Sequence, residues 1–269
     1  MWKGTTVAVS VAAALVLLSM SGWVANHFMF YPMRYPEGDW DLQRSARAEE
    51  RWIKAADGTR LNAWWFPLTG APLATLFLHG NAGNLTHRVD HAQHIRESGS
   101  ALMVLDYRGY GKSEGKPSEK GIYQDGDAAY DELVRMGFAS AQIVLHGESL
   151  GTAVAVDLAA RRPCAGLILE SPMSSAQEIA AGILPIVGPA LVRGLESKRK
   201  IAAVHVPVFI IHGDQDEIIP FHHGQAVFKA ANEPKWFWQV RGGTHNDLLF
   251  VAGKEYVRRV REFYAHLAR

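Results

Sequence analysis

Short apolar runs alternate with longer stretches of helical periodicity through most of the chain. Residues 74–78 (ATLFL), 101–105 (ALMVL), 143–145, 166–169 and 208–211 are apolar and each gives way to a turn-rich segment. Continuous apolar runs of this length are the mark of parallel strands covered on both faces. Between them, residues 86–98, 122–136, 152–161 and 223–231 read as helices. A last strand over 236–240 leads to Gly242-Gly243, and an amphipathic helix over 247–266 follows. Upstream, residues 50–55 and 59–66 flank Asp57-Gly58, a hairpin signal. The alternation predicts a doubly wound, mostly parallel α/β sheet with an N-terminal hairpin. Functional groups in such sheets collect at the carboxyl ends of the strands.

The first 28 residues differ in kind. Residues 4–25 carry no charge, and 7–18 are nearly all Val, Ala and Leu. A helix of this length crosses a bilayer core of about 30 Å. Trp23, Phe28, Phe30 and Tyr31 follow where an interfacial aromatic belt would lie. Lys3 precedes the stretch, whereas Arg34 follows it among Glu37, Asp39 and Asp41, which places the globular part outside the cytoplasm. The alternative is a cleaved signal peptide with Ser19-Met20-Ser21 as its small-x-small site, giving a secreted or periplasmic protein. Residues 1–28 are thus read as a transmembrane anchor or signal sequence, and 29–269 as one domain.

Composition narrows the classes. Of 269 residues, 28 are basic and 27 acidic, so no basic stripe of the kind that binds nucleic acid is expected. The one cysteine, Cys164, excludes an intrachain disulfide and a thiolate metal cage. His87, His91 and His94 share a helical face at metal-like spacing but have no evident carboxylate partner, and they read as a solvated face. Nothing in the sequence fixes an oligomeric state.

Gly147-Glu148-Ser149-Leu150-Gly151 is a G-x-S-x-G sequence between a predicted strand and a predicted helix. A turn that sharp needs its flanking glycines, and its strain lifts the serine hydroxyl clear of the sheet. A serine nucleophile needs a base within hydrogen-bond reach. His245 directly follows the last strand and two glycines, a better position than the other histidines occupy. The acid that orients the base comes between them in chain order. The segment 212–220 offers Asp214, Asp216 and Glu217. A turn that reverses through Gly213 favours Asp216 over Asp214, yet the residues alone leave the choice open. Two backbone donors for an oxyanion are expected from the N–H of Leu150 and, in the loop 79–84, that of Asn81. Gly80 and Gly83 lack the spacing of a dinucleotide site.

The segments HGNAGN (79–84), DYRGYGKSEGKPSE (106–119), HGESLG (146–151), ESP (170–172), HGDQDEIIP (212–220) and GGTHND (242–247) together resemble the α/β-hydrolase-domain proteins with an N-terminal membrane anchor. That branch includes depalmitoylase-like and serine aminopeptidase-like hydrolases. The resemblance covers nearly everything after about residue 28. It implies the α/β-hydrolase fold and hydrolysis of an ester, thioester or amide without metal or cofactor. In the family pattern the aspartate three residues after the glycine is catalytic, which implies Asp216. The charges of 106–119 read as loop scaffolding. Members acting on palmitoylated proteins carry a cysteine-rich N-terminal tail; this chain has none, so protein depalmitoylation is not carried over.

Residues 173–204 leave the strand–helix rhythm and read as a lid. Its apolar stretch, 179–192, suits an acyl chain, and Arg193 with Lys198-Arg199-Lys200 suits a phospholipid headgroup or membrane surface. The expected function is hydrolysis of an acyl or lipid-like ester or thioester through an acyl-enzyme on Ser149. The alternatives are an aminopeptidase or amidase, for which Glu178 and Glu196 are the lid carboxylates able to hold an amino terminus, and a non-catalytic binding protein on the same scaffold.

Overall fold

The computed structural model describes residues 29–185 and 188–268, so the anchor or signal expected over 1–28 lies outside the described residues. Eight strands form the central sheet: β2 (Glu49–Lys54), β3 (Arg60–Phe66), β4 (Ala74–Leu78), β6 (Ala101–Leu105), β7 (Ile143–Glu148), β8 (Gly166–Glu170), β9 (Val208–Gly213) and β10 (Lys235–Val240). Two short strands, β1 (Tyr31–Pro32) and β5 (Ala82–Gly83), pair with each other as a separate parallel ribbon. The sheet order is β10-β9-β8-β7-β4-β6-β3-β2. From β10 to β6 every pairing is parallel, while β3 joins antiparallel to β6 and to β2. This is the doubly wound sheet with an N-terminal hairpin that the apolar pattern predicts.

Helices cover both faces. In chain order they are α1 (Leu42–Ser45), α2 (Val89–Glu97), α3 (Glu119–Arg135), α4 (Leu150–Ala159), α5 (Ala176–Ile183), α6 (Gly188–Leu191), α7 (Ser197–Lys200), α8 (His222–Ala230), α9 (Leu248–Ala252) and α10 (Lys254–Leu267). The period-two alternation of the strands divides the core into two layers. Leu76, Leu78, Met103 and Leu145 face α3, α4 and α8, with Ile122, Val154 and Val227 packed against them. Phe77, Val104, Val144 and Ile168 face α2 and α10, meeting Ile95, Tyr256 and Val260.

Two expectations differ from the folded chain. Phe30, placed in an interfacial belt by position alone, is buried in the first core layer, whereas Tyr31 beside it is exposed. The helix expected over 247–266 is two helices broken at Gly253, whose φ of +50° and ψ of −135° cannot continue a helix. Among the described residues no helix is long and apolar enough to cross a membrane.

Candidate active site

Ser149 occupies the turn from β7 into α4 with φ +51° and ψ −114°. A non-glycine residue there carries strain of about 1–3 kcal/mol, and the surroundings hold it in place. Its N–H donates to the Glu170 carbonyl (2.9 Å), and its carbonyl accepts from the Thr152 N–H (3.0 Å) and Oγ1 (2.6 Å). The flanking glycines are required sterically. A Cβ on Gly151 would collide with the Leu78 carbonyl, and one on Gly147 with the backbone of Gly151 and Thr152.

His245 follows β10 in the loop before α9 and reaches back across the sheet end. Its Nε2 lies 3.0 Å from Ser149 Oγ, and its Nδ1 lies 2.8 Å from Asp216 Oδ2. An ionised carboxylate only accepts, so Nδ1 carries the proton and Nε2 accepts from the serine hydroxyl. Asp216 Oδ1 in turn accepts the N–H groups of Ile218 (3.0 Å) and Ile219 (2.7 Å). Burial opposes ionisation of Asp216, but hydrogen bonds from His212, His245 and the Ile219 N–H outweigh it and hold the carboxyl below the usual carboxylate range. His212 Nε2 is 3.4 Å from Asp216 Oδ2 and donates to the Ile219 carbonyl (2.9 Å), a supporting role that sequence position did not reveal. Neither of the other two carboxylates reaches the His245 imidazole, Glu217 Oε2 meeting only its backbone N–H (3.5 Å). Asp214 accepts from Gln239 Nε2 and the Gly242 N–H, fastening β10, and Glu217 is exposed.

The loop after β4 is held from every side. Tyr107 donates to the His79 carbonyl (3.1 Å), and Glu148 Oε2 accepts the Gly80 N–H (3.1 Å). Asn81 Oδ1 accepts both the Tyr31 N–H (3.0 Å) and the Tyr110 hydroxyl (2.9 Å), and Arg88 donates to the Ala82 carbonyl. Asn81 and Leu150 border the same cavity as Ser149. Leu150 is the first residue of α4, where N–H groups lack intrahelical acceptors. Tyr107 and Tyr110 belong to the segment read as scaffolding. In the same stretch Arg108 bridges Asp125 and Asp57, both at 2.7 Å.

A cavity of about 990 Å³ opens over Ser149 and His245. Its far wall is the lid: Met173, Ile179, Ile183, Leu184 and Val192 line it, and Met29, Tyr31 and Met33 close another side. The basic run of the lid does not reach the cavity. Lys198, Arg199 and Lys200 pair with Glu178, Glu196 and Asp157, which leaves the exposed Arg193 as the residue of the expected headgroup-binding edge outside these pairs. The same pairs occupy Glu178 and Glu196, and neither lines the cavity.

His91 departs from the solvated-face reading. It is largely buried, stacks on Phe77, and its Nε2 lies 3.2 Å from Glu170 Oε2. Glu170 also meets His146 Nε2 (2.6 Å) and the Tyr256 hydroxyl. This carboxylate is the partner that sequence spacing could not supply, because it arrives from β8. His94 Nδ1 instead donates to the Asp90 carbonyl, and His87 folds back on Asn84.

A parallel sheet flanked by helices, with a strained serine elbow at its centre, defines the α/β-hydrolase fold. The family model described as serine aminopeptidase, S33 matches residues 72–195. An uncharacterized protein of Mycobacterium tuberculosis is 38% identical over 221 residues, covering 80% of this chain and 79% of that protein. Alpha/beta hydrolase domain-containing protein 17C of Homo sapiens is 39% identical over 197 residues, which span 71% of this chain and 57% of that protein. Among solved structures, an esterase of Pyrococcus furiosus has the same fold with a TM-score of 0.74 at 20% identity, over 88% of this chain and 98% of that one. Est1E of Butyrivibrio proteoclasticus, solved with ferulic acid bound, gives a TM-score of 0.66 at 24% identity, over 81% and 98%. The chain belongs to the α/β-hydrolase family.

Proposed function

We propose that this protein is a serine hydrolase that cleaves a carboxylic ester or thioester of an acyl or lipid-like substrate. The observation that carries the reading is the hydrogen-bonded chain Ser149–His245–Asp216 at the base of a large, mainly apolar cavity. Ser149 Oγ attacks the acyl carbonyl carbon while His245 Nε2 takes its proton, and Asp216 stabilises the imidazolium. The N–H groups of Leu150 and Asn81 receive the oxyanion, each such donor being worth about 3 kcal/mol of barrier. Collapse of the tetrahedral species expels the alcohol or thiol, protonated by His245, and leaves an acyl-enzyme on Ser149. A water deprotonated by the same histidine then releases the acid and restores the serine. No metal or cofactor takes part in this scheme.

The family model's description raises aminopeptidase activity as a second reading. It would need a free carboxylate in the lid, and Glu178 and Glu196 are already paired outside the cavity. Turnover of p-nitrophenyl esters from acetate to palmitate, beside aminoacyl p-nitroanilides, separates the two. The ester reading expects Ser149-dependent turnover that rises beyond the shortest acyl chains. Turnover of the anilides alone would replace it with the peptidase.

A further inference from the structure

Four large apolar side chains that stand in solvent border one cavity. Ile183 and Leu184, at the end of α5, are 73% and 55% exposed. Ile218, two residues after Asp216, is 50% exposed, and Tyr31 on β1 is 58% exposed. All four also line the cavity above Ser149. Single exposed apolar residues are ordinary on a protein surface, but a group that rims a binding cavity marks an interaction site.

The chain itself indicates the partner. Residues 4–25 carry no charge, and three residues, or four Cα steps, separate Ala25 from Met29. An extended chain spans at most about 3.5 Å per residue, so Met29 lies within about 14 Å of the end of that stretch. Met29, Tyr31 and Met33 then form part of the cavity wall, and β1 is tied to the loop after β4 through the Tyr31 N–H bond to Asn81. The polar layer of a bilayer is about 6 Å thick on each side. A chain held in a membrane through residues 4–25 therefore carries its cavity mouth at the membrane surface.

We propose that the rim formed by Tyr31, Ile183, Leu184 and Ile218 docks onto the lipid bilayer, so that an acyl chain enters the cavity directly from the membrane. The docking clause stands on the rim and the apolar stretch; the entry clause rests on the acyl-ester reading above. Lys198, Arg199 and Lys200 are each paired with an acidic residue, and Arg193, though exposed, does not line the cavity, so apolar insertion rather than headgroup charge drives the contact, and zwitterionic lipid suffices.

The test uses the full chain reconstituted in phosphatidylcholine vesicles with or without nitroxide-labelled acyl chains. Single cysteines, Ile183→Cys, Ile218→Cys and Val134→Cys, are labelled with an environment-sensitive fluorophore. Cys164 does not compete, being buried with its thiol pushed up to about 12 by that burial. Val134 is also exposed but lies near the end of α3, which leads into the amino end of β7, away from the carboxyl ends of the strands that carry the site. Docking predicts loss of fluorescence to the nitroxide at 183 and 218 and none at 134. Vesicle flotation that retains the chain, with 183 and 218 no more quenched than 134, overturns the docking and leaves the anchor standing. A chain that does not float removes the anchor and the docking together. Neither readout involves turnover, so the hydrolase reading is judged separately.

Discussion

Ser149 keeps an unfavourable backbone conformation because the Glu170 carbonyl and Thr152 hold it there, and the return for that strain is a hydroxyl aimed at His245. Ser149→Ala is therefore expected to fold normally and to lose at least about a thousandfold in kcat, the remainder being what the oxyanion donors and binding supply alone. Near-normal turnover by this variant would refute the assignment. In the proposed mechanism Asp216 acts through His245, to whose Nδ1 it is hydrogen-bonded. Its carboxyl is held below the usual range, so the group contributes stability above its unfolded pKa of about 3.9 and loses that contribution as pH falls through the folded value. Asp216→Asn leaves the histidine free to take the wrong tautomer, and kcat should fall by up to about ten-thousandfold with a much smaller change in KM. The serine and histidine were legible from residue type and chain order. Asp216 was distinguishable from Asp214 by residues alone only weakly, because the difference lies in where each carboxylate points: Asp214 turns to Gln239 on β10 and to the Gly242 N–H just after it, and Asp216 to His245.

At the scale of elements, the strands were the most legible part, since a strand buried on both faces is apolar at nearly every position. Residues 74–78 and 101–105 coincide with β4 and β6. The β1–β5 ribbon was invisible, because two-residue strands have no period and Tyr31 and Ala82 meet only in the folded chain. The same holds for Glu170, whose partners arrive from α2, β7 and α10. Burial disfavours the charged form of His91, but Glu170 outweighs it and raises its pKa. A raised folded pKa stabilises fully below the unfolded value of about 6.5, and the gain is lost as pH rises through the folded value. His91→Gln should therefore flatten the fall in urea midpoint above about pH 6.5; an unchanged pH dependence would show that the pair contributes nothing there. The loop after β4 offers a second test. Tyr110→Phe deletes one of two hydrogen bonds to Asn81 Oδ1 and should lower kcat by up to about tenfold with KM nearly unchanged, as expected for a misplaced oxyanion donor. A change confined to KM would place Tyr110 in substrate binding instead.

Over the whole molecule, residues from positions 31, 81, 149 and 245 meet at the carboxyl ends of the strands, with Asp216 bonded behind His245, and the lid walls a cavity of about 990 Å³ above them. The sequence announced an apolar lid but not the pairing of Lys198, Arg199 and Lys200 with acidic residues, which is why that charge run looked like a headgroup site. Whether Ser149 is an activated nucleophile is read by fluorophosphonate labelling of the full chain, mapped by peptide mass. One phosphonyl adduct is expected on the peptide containing Ser149, abolished by Ser149→Ala and strongly slowed by His245→Ala. An unlabelled protein, or an adduct on another residue that survives Ser149→Ala, would contradict that role for Ser149.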